Sequence, residues 1–375
     1  MRGKRPVANA LHSACLVLLS LGSCTSAEEP AQGVIEAPVF RVDPFWPGPL
    51  PNKWILGQVA GVAVDARDHV WIVHRPGSLT PEEAGAVQTP PISECCVPAP
   101  SVIEFAPDGT VVQAWGGPGF EGWVLDGEHG IFVDHEDNVW IGSSAGDVQV
   151  VQKFTPRGDL LLQIGELGET GGSADTTRLG RATDFAVDPT TNEVFISDGY
   201  GNRRVIVFDA ETGAYKRHWG AYGDPPGDAD PGPYDPTASP IRSFRTPVHA
   251  VRLARDSRLY VADRVNNRIQ VFGTDGSFLT ESIVAPATLS MGSAWDIEFS
   301  PDPAQTFLYL ADGTNNKVWI LRRDDLSIVG EFGRNGRAAG EFHWLHSLAA
   351  DSRGNLFTGE VDTGKRLQKL VPVGG

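Results

Sequence analysis

A chain of 375 residues with 47 acidic against 31 basic side chains has a net charge of −16, and so acidic a surface repels nucleic acid. Its 43 glycines, 28 prolines and 10 tryptophans suit a turn-rich all-β protein. No run beyond the N-terminus reaches the ~18 apolar residues of a membrane-spanning helix.

In chain order, Arg2, Lys4 and Arg5 form a basic start, "LVLLSLG" an apolar core, and "LGSC" ends at Cys24. That is the layout of an export signal, and its last four residues resemble a bacterial lipoprotein cleavage site. Residues 1–23 are expected to be a lipoprotein-type signal with a lipid anchor at Cys24; a plain secretory signal cut a few residues later is the alternative. Residues 24–38 read as a linker in an exported, periplasmic or extracellular protein. With Cys15 in the signal, Cys95 and Cys96 remain. Exported thiols are usually oxidised, so they form a vicinal disulfide or stay as two free or metal-bound thiols, and sequence does not decide.

From residue 39 to 375 the chain reads as one domain. Six units align: "AGVAVDARDHVWIV", "HGIFVDHEDNVWIG", "TDFAVDPTTNEVFIS", "HAVRLARDSRLYVA", "WDIEFSPDPAQTFLYLA" and "HSLAADSRGNLFTG". Each is a strand, a polar turn and a second strand, and five continue into another hairpin such as "SVIEFAPDGTVVQAWG". Six four-stranded units predict a six-bladed β-propeller with NHL-like blades. The sixth unit runs short after "RLQKLVPVGG", so "VFRVDPFWP" from the N-terminal side is expected to supply its last strand and remove an open edge.

Antiparallel blades put the start of the innermost strand and the end of the second strand on one face. The six starts are Ala60, His129, Thr183, His249, Trp295 and His346. Alternate blades thus carry histidine, an approximate threefold set around the channel. Three imidazoles with one open position are the ligand set of a catalytic Zn²⁺. With Zn–N bonds of ~2.0–2.1 Å, the ring nitrogens should lie within about 4 Å of one another. The remaining histidines (His69, His74, His135, His218, His343) read as solvated or hydrogen-bonded structural residues.

Ends of second strands bring Arg75, Tyr200 and Arg264 to the same mouth. A guanidinium suits bidentate recognition of a carboxylate, and a tyrosine beside a divalent cation suits general-base work. The bland alternatives are an ion pair of Arg264 with Asp263 and a packed tyrosine ring. Three long segments belong to this face: "PGSLTPEEAGAVQTPPISECCVPAP", "ELGETGGSADTTRLGR" and "AYGDPPGDADPGPYDPTASPIRSF". The third is a lid or a solvated insertion.

"ATDFAVDPTTNEVFISDGYGNRRVIVF" and "TPVHAVRLARDSRLYVADRVNNRIQVF" resemble the propeller lyase of peptide amidation, peptidyl-α-hydroxyglycine α-amidating lyase, and NHL-repeat propellers more broadly. The resemblance implies that His129, His249 and His346 hold Zn²⁺, that Tyr200 is the base, and that Arg75 and Arg264 bind the substrate carboxylate. The implied reaction cleaves a C-terminal α-hydroxyglycine into a peptide amide and glyoxylate. Trp344 stands where that family has a methionine, and Ser347 where an aspartate helps hold a structural Ca²⁺, which puts that Ca²⁺ in doubt; Gly201 replaces a disulfide cysteine. A zinc-dependent lyase acting on a small carboxylate-bearing or peptide substrate is the leading reading. A non-catalytic NHL propeller binding a peptide, glycan or protein at the cell envelope is its rival. Hydrolysis of an ester or lactone is a third, although such sites use Ca²⁺ held by Asp, Glu and Asn.

Overall fold

The computed structural model describes residues 36–145 and 147–373, together with Met1. The expected signal at 1–23, the anchor at Cys24 and the linker as far as residue 35 lie outside the described residues, apart from Met1. The unit from Ala37 onward is the six-bladed propeller that the repeats predict, with six four-stranded antiparallel sheets. Their innermost strands are Gln58–Val64, Glu128–Val133, Ala182–Asp188, Val248–Leu253, Asp296–Phe299 and Leu345–Ala350, which define blades 1 to 6. Each innermost strand packs against those of both neighbouring blades, so the ring closes.

Closure uses the expected shared blade. Val39–Asp43 pairs antiparallel with Arg366–Val373, Val39 opposite Val373 and Asp43 opposite Lys369, and becomes the outermost strand of blade 6. An edge that would otherwise be open is thereby paired.

The tight turns after the innermost strands explain the repeated aspartate. Asp134 accepts the Glu136 and Asn138 amides at 2.9 Å each and the Trp140 indole N–H at 2.9 Å. Asp65 does the same with Arg67, His69 and Trp71, and Asp351 with Arg353 and Asn355. The same arrangement satisfies the cluster of Asp65, His69 and Glu104, where the Arg67 guanidinium already supplies the cation.

Second strands such as Val70–Arg75 read as unbroken apolar runs because both of their faces are covered by adjacent blades. Trp71, Val73 and Val102 of blade 1 pack with Ile131, Val139 and Ile141 of blade 2, and equivalent layers follow around the ring. The core therefore lies between blades and leaves the channel to polar side chains. Cys95 and Cys96 are joined to each other, in a loop that is tied down by the pairing of Trp54–Ile55 with Val97–Pro98.

Candidate metal centre and its mouth

Each histidine is the second residue of an innermost strand, and at each one the strand ladder slips. Val248 pairs with Asp263 and Ala250 with Ala262, which leaves His249 opposite nothing; the same shift falls between Leu345 and Ser347 and between Glu128 and Ile131. A bulge frees a residue from the ladder and re-aims its side chain. Here it turns three imidazoles toward one another, with ring centroids 5.0, 4.7 and 4.8 Å apart. One nitrogen from each lies within 4.8 Å of the others. The spacing of about 4 Å expected of a zinc set falls inside that limit.

The intervening blades fix the tautomers. Nδ1 of His129 donates to the Thr183 carbonyl at 2.8 Å, that of His249 to Trp295 at 2.6 Å and that of His346 to Ala60 at 2.7 Å. A carbonyl can only accept, so the proton sits on Nδ1 and each Nε2 keeps its lone pair. Burial pushes all three imidazoles well below the usual histidine range, His346 to about 3, and nearby positive charges act in the same direction. They are neutral at neutral pH. Nε2 of His249 is buried without any hydrogen-bond partner, and that of His129 has only the Tyr200 hydroxyl, at 3.4 Å. Three oriented, neutral nitrogen donors, the His249 Nε2 among them without a partner, fit a divalent cation with a preference for imidazole.

The mouth carries two guanidiniums, and the Glu128 charge lies near the first of them, Arg75. Arg75 ends the strand Val70–Arg75; its Nε donates to the Glu128 carbonyl at 2.6 Å and its Nη1 to Gln58 Oε1 at 2.9 Å. Arg264 Nη1 donates to the Tyr200 hydroxyl oxygen at 3.2 Å, and its Nε is buried and unpartnered. Among the described residues neither guanidinium forms an ion pair with a carboxylate. The expected alternative, Arg264 with Asp263, does not form, because Asp263 is taken by Arg268 Nε at 2.8 Å and by Asn266 at 2.7 Å. Burial disfavours the charged form of both arginines. Tyr200 stands edge-on to His129 at 5.4 Å and to His249 at 6.1 Å. All six residues singled out in the sequence thus fall in one cluster or at its rim.

Below the histidines a cavity of about 10 Å³ is lined by Gly130, Asp184, Asp296 and Ser347, among others. Deeper still, Arg252 reaches Asp184 at 2.7 Å, Asp296 at 3.5 Å and Glu298 at 3.9 Å. Burial pushes the Asp296 carboxyl up to about 7, although Arg252 opposes the shift. The channel thus carries a cation of its own at this depth.

The insertions are held by hydrogen bonds to one another and to the blades. Asp228 in the third accepts the Ser173 amide at 3.0 Å and its hydroxyl at 2.5 Å, which ties the third insertion to the second. Arg203 donates to Ala229 at 2.7 Å and Arg268 to Ile241 at 3.0 Å. In the first, Lys365 bonds Glu83 at 2.6 Å. Sequence reasoning missed the carbonyls of Ala60, Thr183 and Trp295 and the amide of Gln58; only the shared register of the first three hinted at a role.

No family model matches the chain. Among curated proteins it is 27% identical over 356 residues to NHL repeat-containing protein 3 of Mus musculus, covering 90% of this chain and 86% of that one. It is 30% identical over 346 residues to peptidyl-alpha-hydroxyglycine alpha-amidating lyase 1 of Drosophila melanogaster, covering 87% of this chain but 58% of that protein. A solved streptogramin B lyase superposes with a TM-score of 0.52 over 89% of this chain and 98% of that one at 12% identity, a likeness of fold. The chain is homologous to proteins named as amidating lyases and to NHL-repeat proteins.

Proposed function

We propose that the chain is a zinc-dependent lyase that cleaves the C–N bond of a C-terminal α-hydroxyglycine, or of a similar small carboxylate substrate, and releases glyoxylate. One observation carries this reading: three neutral imidazoles converge beside Tyr200, with the His249 Nε2 buried and unpartnered, next to two arginines that form no ion pair among the described residues. A zinc ion bound by His129, His249 and His346 would supply Lewis-acid polarisation of the substrate's hydroxyl and carboxylate oxygens.

The chain's own groups account for the rest. Arg75 and Arg264 bind the carboxylate and fix the substrate's register. Tyr200 takes the proton from the substrate's hydroxyl. As the C=O bond of glyoxylate forms, the C–N bond breaks and its electron pair goes to the nitrogen, which takes up a proton to give the amide. Gln58 holds Arg75 by its Oε1, so its amide N–H₂ faces away from that guanidinium.

The homology to an amidating lyase supports this reading, and that to an NHL-repeat protein supports the rival of a non-catalytic binding propeller. The test is to incubate the purified protein with α-hydroxyhippurate and measure glyoxylate and benzamide. Equal amounts of both, formed faster than in buffer, are expected. No release from a zinc-loaded sample would favour the binding propeller.

A further inference from the structure

A buried cation without an anion beside it needs another source of stabilisation, and at Arg264 that source is Trp295. The Arg264 guanidinium carbon lies 4.4 Å from the centroid of the indole ring, closer than its 5.6 Å to the Tyr200 ring. A cation over an aromatic face is attracted by the ring quadrupole, most strongly by tryptophan and most of all where water is excluded. Trp295 is itself held: its Nε1 donates to the Gly292 carbonyl at 2.9 Å, and its ring meets His249 and His346 edge-on at 5.5 and 5.7 Å. Gly313 leaves the indole its space, since a Cβ there would come within 2.9 Å of Cδ2 and Cε2. Main chain and side chain thus serve different groups, the carbonyl orienting His249 and the ring facing Arg264.

We infer that Trp295 is a positioning residue that fixes Arg264 at the mouth without neutralising it, so that a substrate carboxylate becomes its anionic partner. An acidic side chain in that place would hold the guanidinium as well and would compete with the substrate. An aromatic face keeps the charge available. The inference rests on the reading of Arg264 as the carboxylate binder.

Hippurate, which carries the carboxylate but no reactive hydroxyl, is the probe, its binding measured by calorimetry on metal-free and zinc-loaded protein. Trp295→Leu removes the aromatic face and should weaken hippurate binding about three- to thirty-fold in both forms, the span from an exposed to a desolvated cation over an aromatic ring. The KM for α-hydroxyhippurate should rise by the same factor, with kcat and zinc content unchanged. Trp295→Phe loses the same indole hydrogen bond but keeps a face, and should recover part of the loss. In an Arg264→Ala background Trp295→Leu should have no further effect, because it acts through the arginine.

The inference is overturned if Trp295→Leu leaves hippurate binding unchanged, if its effect persists in Arg264→Ala, or if its main consequence is loss of zinc. Should Trp295→Leu fail to fold, Trp295→Phe decides alone, since unweakened hippurate binding there also overturns the inference. A parent that binds hippurate in the expected pattern but releases no glyoxylate sinks the lyase reading and leaves the inference standing.

Discussion

Replacing His249 by alanine should empty the metal site while leaving the propeller folded. The imidazole is 2% exposed and makes one hydrogen bond, from Nδ1 to the Trp295 carbonyl. Losing that bond costs about 1 kcal/mol. Against this, Nε2 is buried and unpartnered, and removing such an atom relieves on the order of 1–3 kcal/mol. Space vacated beside the small cavity below the histidines admits water to the freed carbonyl. Metal-free variant and metal-free parent should therefore differ by no more than about 2 kcal/mol. With free zinc at about a thousand times its Kd, the parent gains about 4 kcal/mol from binding and the variant nothing. Denaturant unfolding in zinc and in chelator, with elemental analysis of the same samples, reads both quantities. Equal zinc content in variant and parent, or an equal zinc-induced shift in midpoint, would refute the reasoning.

Tyr200→Phe should keep zinc and KM while lowering kcat by about 10²-fold or more, the usual worth of a general base; turnover at the parent rate in a glyoxylate assay would exclude the tyrosine as base. Arg75→Ala and Arg264→Ala should each raise KM, because the carboxylate contact is present in ground and transition states alike, and lysine should rescue only in part because it lacks the planar fork; steady-state kinetics with unchanged KM would remove the arginine concerned from the site. Burial pushes His74 down to about 4, with Nδ1 accepting the Gly57 amide and Nε2 donating to the Pro100 carbonyl. The unfolded chain takes up this proton first, near pH 6.5, so this contribution to stability is lost as pH falls from about 6.5 toward about 4. His74→Asn keeps an acceptor for Gly57 and should flatten that slope in unfolding midpoints; the parent's slope, if retained, would contradict the assignment.

The propeller was legible because its hairpins repeat and their turns recur. Asp65, Asp134 and Asp351 each collect the amides of a tight turn, so the same short motif marks one blade after another. The closing strand could be anticipated from what the sixth unit lacked. His129, His249 and His346 were legible through register alone, since the start of an innermost strand always faces the channel. What the sequence hid lies in the backbone. A bulge at each histidine depends on pairing across strands, and the carbonyls that fix the tautomers carry no side-chain signature. Trp295 stood in the register as a residue that was not histidine; only its distance to Arg264 gives it a role. The choice between Asp263 and an unpaired Arg264 turned on Arg268, a competitor four residues on that claims the carboxylate first.

The central claim, that catalysis depends on a metal held by three histidines, is tested most directly by titrating zinc into chelator-stripped protein while following glyoxylate release from α-hydroxyhippurate. Release should be absent at the start, rise in proportion to bound zinc and stop rising at one ion per chain. Release that survives stripping, or zinc that binds at one per chain without restoring it, would contradict the account.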